Sequence, residues 1–280
     1  MKANIGIRAH DMGNFPLEQL AKEIANKGLS CVQLALAKSF SEFNTGLGSL
    51  SPGFATYIGH SFSKENVQIA VLGCYINMIH PDGTERQNQL ERFKEHIRFA
   101  RDFGCSIVGT ETGSVIPNLG YTQENYGEES YQEVVKSVRE LVQEAEKFGV
   151  IVGIEGGINH PIHNPVKMKR LLDDIPSNNL QVIYDPANFI NHINFDQQEE
   201  VMAEAIALFG NRIVVLHAKD FIIENDKVKM VPVGTGQLNY DFLFKHLKKQ
   251  KPFINILIEN TQEPYISKSI VFLQESFAKA

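Results

Sequence analysis

At 280 residues the chain exceeds the usual domain length, yet an α/β barrel of roughly 250 residues forms a single unit, and 43% hydrophobic with 21% charged residues excludes a disordered chain. A net charge of −6 argues against a nucleic-acid surface, which needs clustered Lys and Arg to neutralise phosphates. The three cysteines, Cys31, Cys74 and Cys105, are odd in number and widely spaced, so neither a disulfide framework nor a Cys-x-x-Cys zinc site is indicated.

The first strand is predicted over residues 3–8, in an amino-terminal segment, MKANIGIRAHDMG, that lacks the apolar core of a signal peptide. Leu17, Leu20, Ala21 and Ile24 then follow the i, i+3, i+4, i+7 spacing of an amphipathic helix. Short β-branched runs at 31–36, 67–76 and 106–109 read as buried parallel strands. Between the last two, Leu90, Phe93, Ile97 and Ala100 mark a helix, and Val134, Val138, Leu141 and Ala145 mark another further on. Strands follow at 150–154, 180–184, 212–216 and 253–258, and the basic run 245–251 reads as the solvated face and end of a helix. Nowhere is an apolar run long enough to cross a bilayer, so a cytoplasmic protein without membrane contact is expected.

Four helices end in a glycine that feeds a strand: Gly28, Gly104, Gly149 and Gly210 are each expected to take the left-handed conformation that closes a helix. Eight strands alternating with helices, without a linker rich in Pro, Gly or Ser, give one domain over residues 1–280. Alternation alone allows an open doubly wound sheet or a closed barrel. No Gly-x-Gly-x-x-Gly fingerprint follows the first strand, which favours a (β/α)8 TIM barrel.

Four late strands end in a side chain able to bind metal: VIVGI before Glu155, LQVIY before Asp185, RIVVL before His217 and INILI before Glu259. The carboxyl ends of barrel strands converge on one mouth, so the four would face a common point. A charged group at the end of an apolar strand must be solvated, paired or bound to a cation. Any one of them could simply cap its strand or pair with Lys219; four together point to a site. Three carboxylates and one imidazole suit one divalent ion, Mn²⁺ first and Mg²⁺, Co²⁺ or Zn²⁺ after it. Three anionic ligands on a dication leave such a cluster near −1, and proton abstraction beside a carbonyl is the chemistry that fits.

These residues resemble the xylose-isomerase-like barrels, a family of sugar and sugar-phosphate isomerases and epimerases that extends to endonuclease IV-type repair enzymes. The resemblance covers nearly the whole chain and is carried by Gly153-Ile-Glu155-Gly, Tyr184-Asp185-Pro-Ala-Asn188, Leu216-His217-Ala-Lys219-Asp220, Gly234-Thr-Gly236 and Leu257-Ile-Glu259-Asn260. Its ketose 3-epimerase branch implies that Glu155, Asp185, His217 and Glu259 ligate metal and that Glu155 and Glu259 also exchange protons with substrate. Many relatives carry histidine where this chain has Asn188, which hydrogen-bonds a substrate hydroxyl but ligates metal poorly. With that histidine absent, and none in residues 218–230, the three-metal nuclease reading is the weaker one.

The expected function is a metal-dependent isomerase or epimerase of a small ketose, ketose phosphate or related hydroxy-ketone, acting through an enediolate. The alternatives are an inosose-type dehydratase, a metal-dependent hydrolase and a non-catalytic metabolite-binding barrel. A sugar-like small molecule is the expected partner, nucleic acid is not, and a homo-oligomer is compatible with the sequence. Asn188, His160 and Lys219 are the candidates for substrate contact. Lys219 either pairs with Asp220 in support of His217 or approaches a substrate oxygen. Asn77, His80, Glu111 and His163 are weaker candidates for the mouth, and Arg8 with His10 for an anionic group.

Overall fold

The β-branched runs become the staves of a closed parallel barrel in the computed structural model, which describes residues 2–280. In chain order they are β1 (Asn4–Arg8), β2 (Cys31–Leu34), β3 (Gln68–Gly73), β4 (Ile107–Glu111), β5 (Ile151–Glu155), β6 (Leu180–Tyr184), β7 (Ile213–Ala218) and β10 (Asn255–Ile258). Consecutive staves are neighbours, and β10 pairs with both β7 and β1 to close the ring. The second and third strands are shorter than the sequence suggests. After β2 the chain turns at once into the short helix α2 (Leu36–Ser39), and after β3 residues 74–80 form the rim of the mouth.

Two apolar layers result. Inside the barrel, Cys31, Ala70, Val71, Ile107, Ile183, Val215 and Leu257 pack against one another. A larger layer joins the outer faces of the strands to the helices, where Leu17, Leu20, Ala21 and Ile24 of α1 (Leu17–Asn26) are buried as their spacing requires. Helix starts follow local chemistry. Asp82 accepts from the Glu85 amide at 2.9 Å to open α4 (Gly83–Phe99), and Asn164 accepts from the Lys167 amide at 2.8 Å to open α6 (Pro165–Asp174). At the other ends, Gly28, Gly104 and Gly149 have φ of +72°, +73° and +61°, as expected of closing glycines. Gly210 does not: its φ is −54°, and it begins a single 3₁₀ turn before β7. Close approach explains the glycine instead, since a Cβ there would lie 2.8 Å from Gln250 Oε1.

The sequence pattern assigns no element between His217 and the basic helix, where the structure has a hairpin. The strands β8 (Asp220–Glu224) and β9 (Lys227–Val231) pair antiparallel through Asn225 and Asp226, whose φ values of +52° and +57° match a two-residue type I′ turn. Among the described residues no helix is long and apolar enough to cross a membrane.

Glycines inside the barrel differ in what they accommodate. A Cβ on Gly6 would sit 2.2 Å from the Cys31 carbonyl oxygen of the adjacent strand, whereas one on Gly153 would meet the Ile183 side chain at 2.9 Å. Backbone cannot yield as a side chain can. We expect Gly6→Ala to cost roughly 1–3 kcal/mol and to lower Tm by about 3–10 °C, with Gly153→Ala milder, in thermal unfolding followed by circular dichroism.

Candidate metal centre

Glu155 is the last residue of β5, Asp185 and Glu259 directly follow β6 and β10, and His217 is the penultimate residue of β7. The barrel brings these four together: one ligand atom from each lies within 4.8 Å of the others, and all four side chains are buried. His217 Nδ1 is 3.2 Å from Glu155 Oε1 and 3.0 Å from Glu259 Oε2. The other ring nitrogen, Nε2, lies 2.7 Å from Gln33 Oε1, an acceptor only, so it carries the proton and leaves Nδ1 turned toward the carboxylates. Gln33 is held in turn, its Nε2 donating to the Tyr75 hydroxyl at 2.5 Å. Sequence reading passed over both residues, because a glutamine within an apolar strand and a tyrosine beyond one give no signal until the barrel closes.

Two permanent cations enter the same space. Lys219 Nζ is 2.9 Å from Asp185 Oδ2, 2.7 Å from Glu259 Oε1 and 3.9 Å from Glu155 Oε1. It also donates to Asn188 Oδ1 at 3.0 Å, while Asn188 Nδ2 donates to Glu155 Oε1 at 2.7 Å. Arg8 donates to Glu259 Oε1 at 2.5 Å and to both oxygens of Asp11. Asn188 and Lys219 thus touch the cluster directly, and Arg8 braces Glu259 instead of waiting for an anion.

Lys219 does not pair with Asp220. The Asp220 carboxylate, 1% exposed, accepts from the backbone amides of Phe221, Gly234, Gly236 and Leu238 at 2.9–3.0 Å. A Cβ on Gly236 would fall 2.3 Å from Asp220 Oδ1, which accounts for the second glycine of Gly234-Thr-Gly236. Lys219 is steadied through its carbonyl, which accepts from the Tyr240 hydroxyl at 2.6 Å.

The remaining candidates separate. His160 Nε2 lies 3.7 Å from Glu111 Oε1 and its Nδ1–H donates to the Gly113 carbonyl at 2.9 Å; Glu111 is in register with Glu155, so this pair adjoins the cluster. Asn77 is committed to loop amides, His80 to the start of α4, and His163 stacks on Tyr126 at 3.9 Å. His10 is held neutral, its pKa lowered to about 4 by burial and by Arg8.

The electrostatics follow from burial and charge. Burial favours the neutral form of His217, but the carboxylates of Glu155 and Glu259 outweigh it and push its pKa up to about 10. Burial lifts Asp185 to about 6 against the pull of Lys219. Burial would raise Glu259 too, yet Lys219, His217 and Arg8 hold it well below the usual carboxylate range. Those contacts leave Asp185 Oδ2, His217 Nδ1 and Glu259 Oε2 inside ion-pair distance of a neighbour but without a well-formed hydrogen bond. Buried acceptors in that condition, in an oxygen-rich set with one imidazole, fit a divalent cation. A dication that displaces the His217 proton would leave the ligand set near −1, and Lys219, Arg8 and the Asp11 paired with Arg8 would bring the whole cluster to about neutral.

The chain belongs to the xylose isomerase-like TIM barrel family, whose model matches residues 11–276. Among solved structures it is similar to a xylose isomerase-like TIM barrel protein from Mycobacterium smegmatis in complex with magnesium, at 14% identity and a TM-score of 0.75, covering 99% of this chain and 97% of that one. A D-tagatose 3-epimerase-like protein aligns at 20% identity and a TM-score of 0.74, covering 100% and 98%. The probable 3-DHS dehydratase AsbF from Bacillus anthracis aligns at 12% identity and a TM-score of 0.73, covering 98% of each chain. A search of curated proteins returned no match.

Metal binding should be pH-linked. Below about pH 10 the metal-free His217 carries a proton that an ion must displace, so affinity is expected to rise about tenfold per pH unit and to fall more steeply below pH 6, where Asp185 also takes up a proton. Titration calorimetry with Mn²⁺ in buffers of different ionisation enthalpy should show about one proton released per ion near neutral pH. Gln33→Leu, which frees the His217 ring to turn over, is expected to weaken Mn²⁺ binding by about 10–100-fold in the same assay.

Proposed function

We propose that this protein is a divalent-metal-dependent isomerase or epimerase of a small ketose, ketose phosphate or related hydroxy-ketone. The observation that carries the reading is the placement of Glu155 and Glu259 at the carboxyl ends of β5 and β10, on either side of His217, with the Lys219 ammonium between them. Glu155, Asp185, His217 and Glu259 would hold one ion, Mn²⁺ by preference for an oxygen-rich set, and that ion would supply Lewis-acid polarisation of a substrate carbonyl.

The chain's own groups do the rest. One glutamate removes the proton from the carbon beside the carbonyl, and the electron pair moves onto the carbonyl oxygen to give an enediolate. Lys219, already charged and desolvated, stabilises the developing oxyanion through its charge, and donates to it when one of its three present acceptors, Asp185, Glu259 or Asn188, gives way. The other glutamate, supplied with a proton from a substrate hydroxyl or solvent, gives it to the opposite face of that carbon to invert the centre; delivery to the neighbouring carbon, with the adjacent hydroxyl's proton passing to the former carbonyl oxygen, isomerises the sugar. Asn188 holds Glu155 in place and offers its amide to a substrate hydroxyl.

A second reading has an observation of its own. Dehydration begins at the same enediolate and then needs an acid for the departing hydroxyl. His160 is suited to that role, because Glu111 raises its pKa against the effect of burial. The similarity to a probable dehydratase supports keeping this reading, as the epimerase-like neighbour supports the first.

Incubation with Mn²⁺ in D₂O and a panel of ketoses, ketose phosphates, hydroxypyruvate and inosose separates the two. Deuterium on carbon in a substrate epimer or isomer is expected; deuterated, water-eliminated product would assign the dehydratase; no exchange on any member counts against both. On the substrate so found, Glu155→Gln and Glu259→Gln should each lower kcat by about 10²–10⁴-fold with a smaller change in KM. Near-wild-type turnover in both variants would sink the two-glutamate mechanism.

A further inference from the structure

We propose that the cavity between α2, the end of β3 and α4 is a pocket for a phosphate-type oxyanion. It encloses about 130 Å³ against Lys38, Thr45, Tyr75, Arg92 and His96, the liquid volume of roughly four waters. Its cations have no acid to answer. Arg92 offers five N–H donors, yet Nη2 donates to the Tyr75 carbonyl, Nε is buried without a partner, and the guanidinium joins no ion pair among the described residues. Arg212 shows how the fold satisfies an arginine it uses only for structure: its donors reach Gln181 Oε1 and the carbonyls of Ser177 and Leu180. Lys38 Nζ stands 4.0 Å above the Tyr75 ring, also outside any ion pair. Glu95, the buried acid of α4, is already committed to the amides of Gly48 and Leu50 at 3.0 and 3.2 Å.

The third polar wall selects among anions. His96 is 4% exposed, and its Nδ1–H donates to the Arg92 carbonyl at 2.8 Å, which leaves the Nε2 lone pair as an acceptor. Inorganic phosphate near neutral pH keeps a P–OH to donate there while its other oxygens take Arg92 and Lys38; sulfate has no such proton. Phosphate is therefore preferred over sulfate.

The pocket shares a wall with the metal centre, since Tyr75 reaches His217 through Gln33 in two hydrogen bonds. The phosphate could come from two sources: free phosphate acting as an effector, or the ester group of a phosphorylated substrate, which carries a P–OH for His96 only in its monoanionic form. The ester source rests on the function proposed above; binding itself does not.

Titration calorimetry of the full chain with inorganic phosphate, on metal-stripped and Mn²⁺-loaded protein, tests the pocket. One phosphate per chain is expected in both states, with sulfate weaker, and with Lys38→Met and Arg92→Met each weakening phosphate by about tenfold or more. Lys38 is exposed, so its replacement leaves the core intact if Arg92→Met proves unstable. No binding at roughly tens of millimolar phosphate, or binding that survives Lys38→Met, overturns the pocket. So does binding confined to Mn²⁺-loaded protein, which belongs to the metal centre. The source is then read from deuterium exchange. A KM raised about tenfold by Lys38→Met for a ketose phosphate, with its unphosphorylated counterpart unchanged, supports the ester group. Phosphate binding without that discrimination supports the free effector. If Lys38→Met abolishes phosphate binding while no sugar exchanges deuterium, the pocket stands and the isomerase reading falls.

Discussion

Three carboxylates whose oxygens must share a space 4.8 Å across repel one another, and the barrel holds them there away from water. A pair of unit charges about 4 Å apart repels by roughly 4 kcal/mol at the effective dielectric of a protein surface, and more when buried. Much of the mouth can be understood as the answer to that repulsion. Lys219 is threaded among all three, Arg8 reaches in from the adjoining strand β1, and His217 takes up a proton when no metal ion is present. The same compensation suits the cluster to a divalent cation, because a dication could replace the His217 proton while Lys219 and Arg8 stay in place.

The compensating groups need supports, and these reach well beyond the cluster. Asp11 grips the guanidinium of Arg8 and the amide of Asn260, joining the ends of β1 and β10 where the barrel closes. Asn188 ties Glu155 to Lys219. Asp220 gathers the Phe221 amide of β8 and three loop amides beside β7, and Tyr240 fixes the Lys219 carbonyl from α8 (Tyr240–Gln250). An acid with four amide donors needs no cation, which is why Lys219 is free to turn inward toward its neighbours' carboxylates. The two glycines of residues 234–236 belong to the same device: one amide from each reaches Asp220, and the second leaves no room for a side chain.

The mouth is also graded in its chemistry around the ring. From β5 to β10 it is acidic and metal-competent, whereas β4 contributes Glu111, which faces His160 of the loop after β5. Past β3 lies a small basic cavity behind Tyr75. Tyr75 is the hinge of this gradient. Burial, then the charges of Glu259 and Glu155, hold its hydroxyl proton on at any working pH, so it stays a neutral hydrogen-bonding wall between the two sides.

The sequence by itself determined the repeated strand and helix units and the four metal-competent strand ends, because apolar periodicity, closing glycines and a charged residue after an apolar run are local signals. Glu155, Asp185, His217 and Glu259 were legible for that reason, and so were Gly28, Gly104 and Gly149. What depended on distant parts of the chain was not. The closing of the ring decided that Arg8 braces Glu259, that Gln33 sets the face His217 presents, and that Lys219 turns from its neighbour Asp220 toward carboxylates on other strands. Gly210 looked like its three counterparts yet owes its place to Gln250 packing across from another helix. Partners such as Arg8 and Glu259 stand more than two hundred residues apart, and only the closure of β1 against β10 brings them within a hydrogen bond.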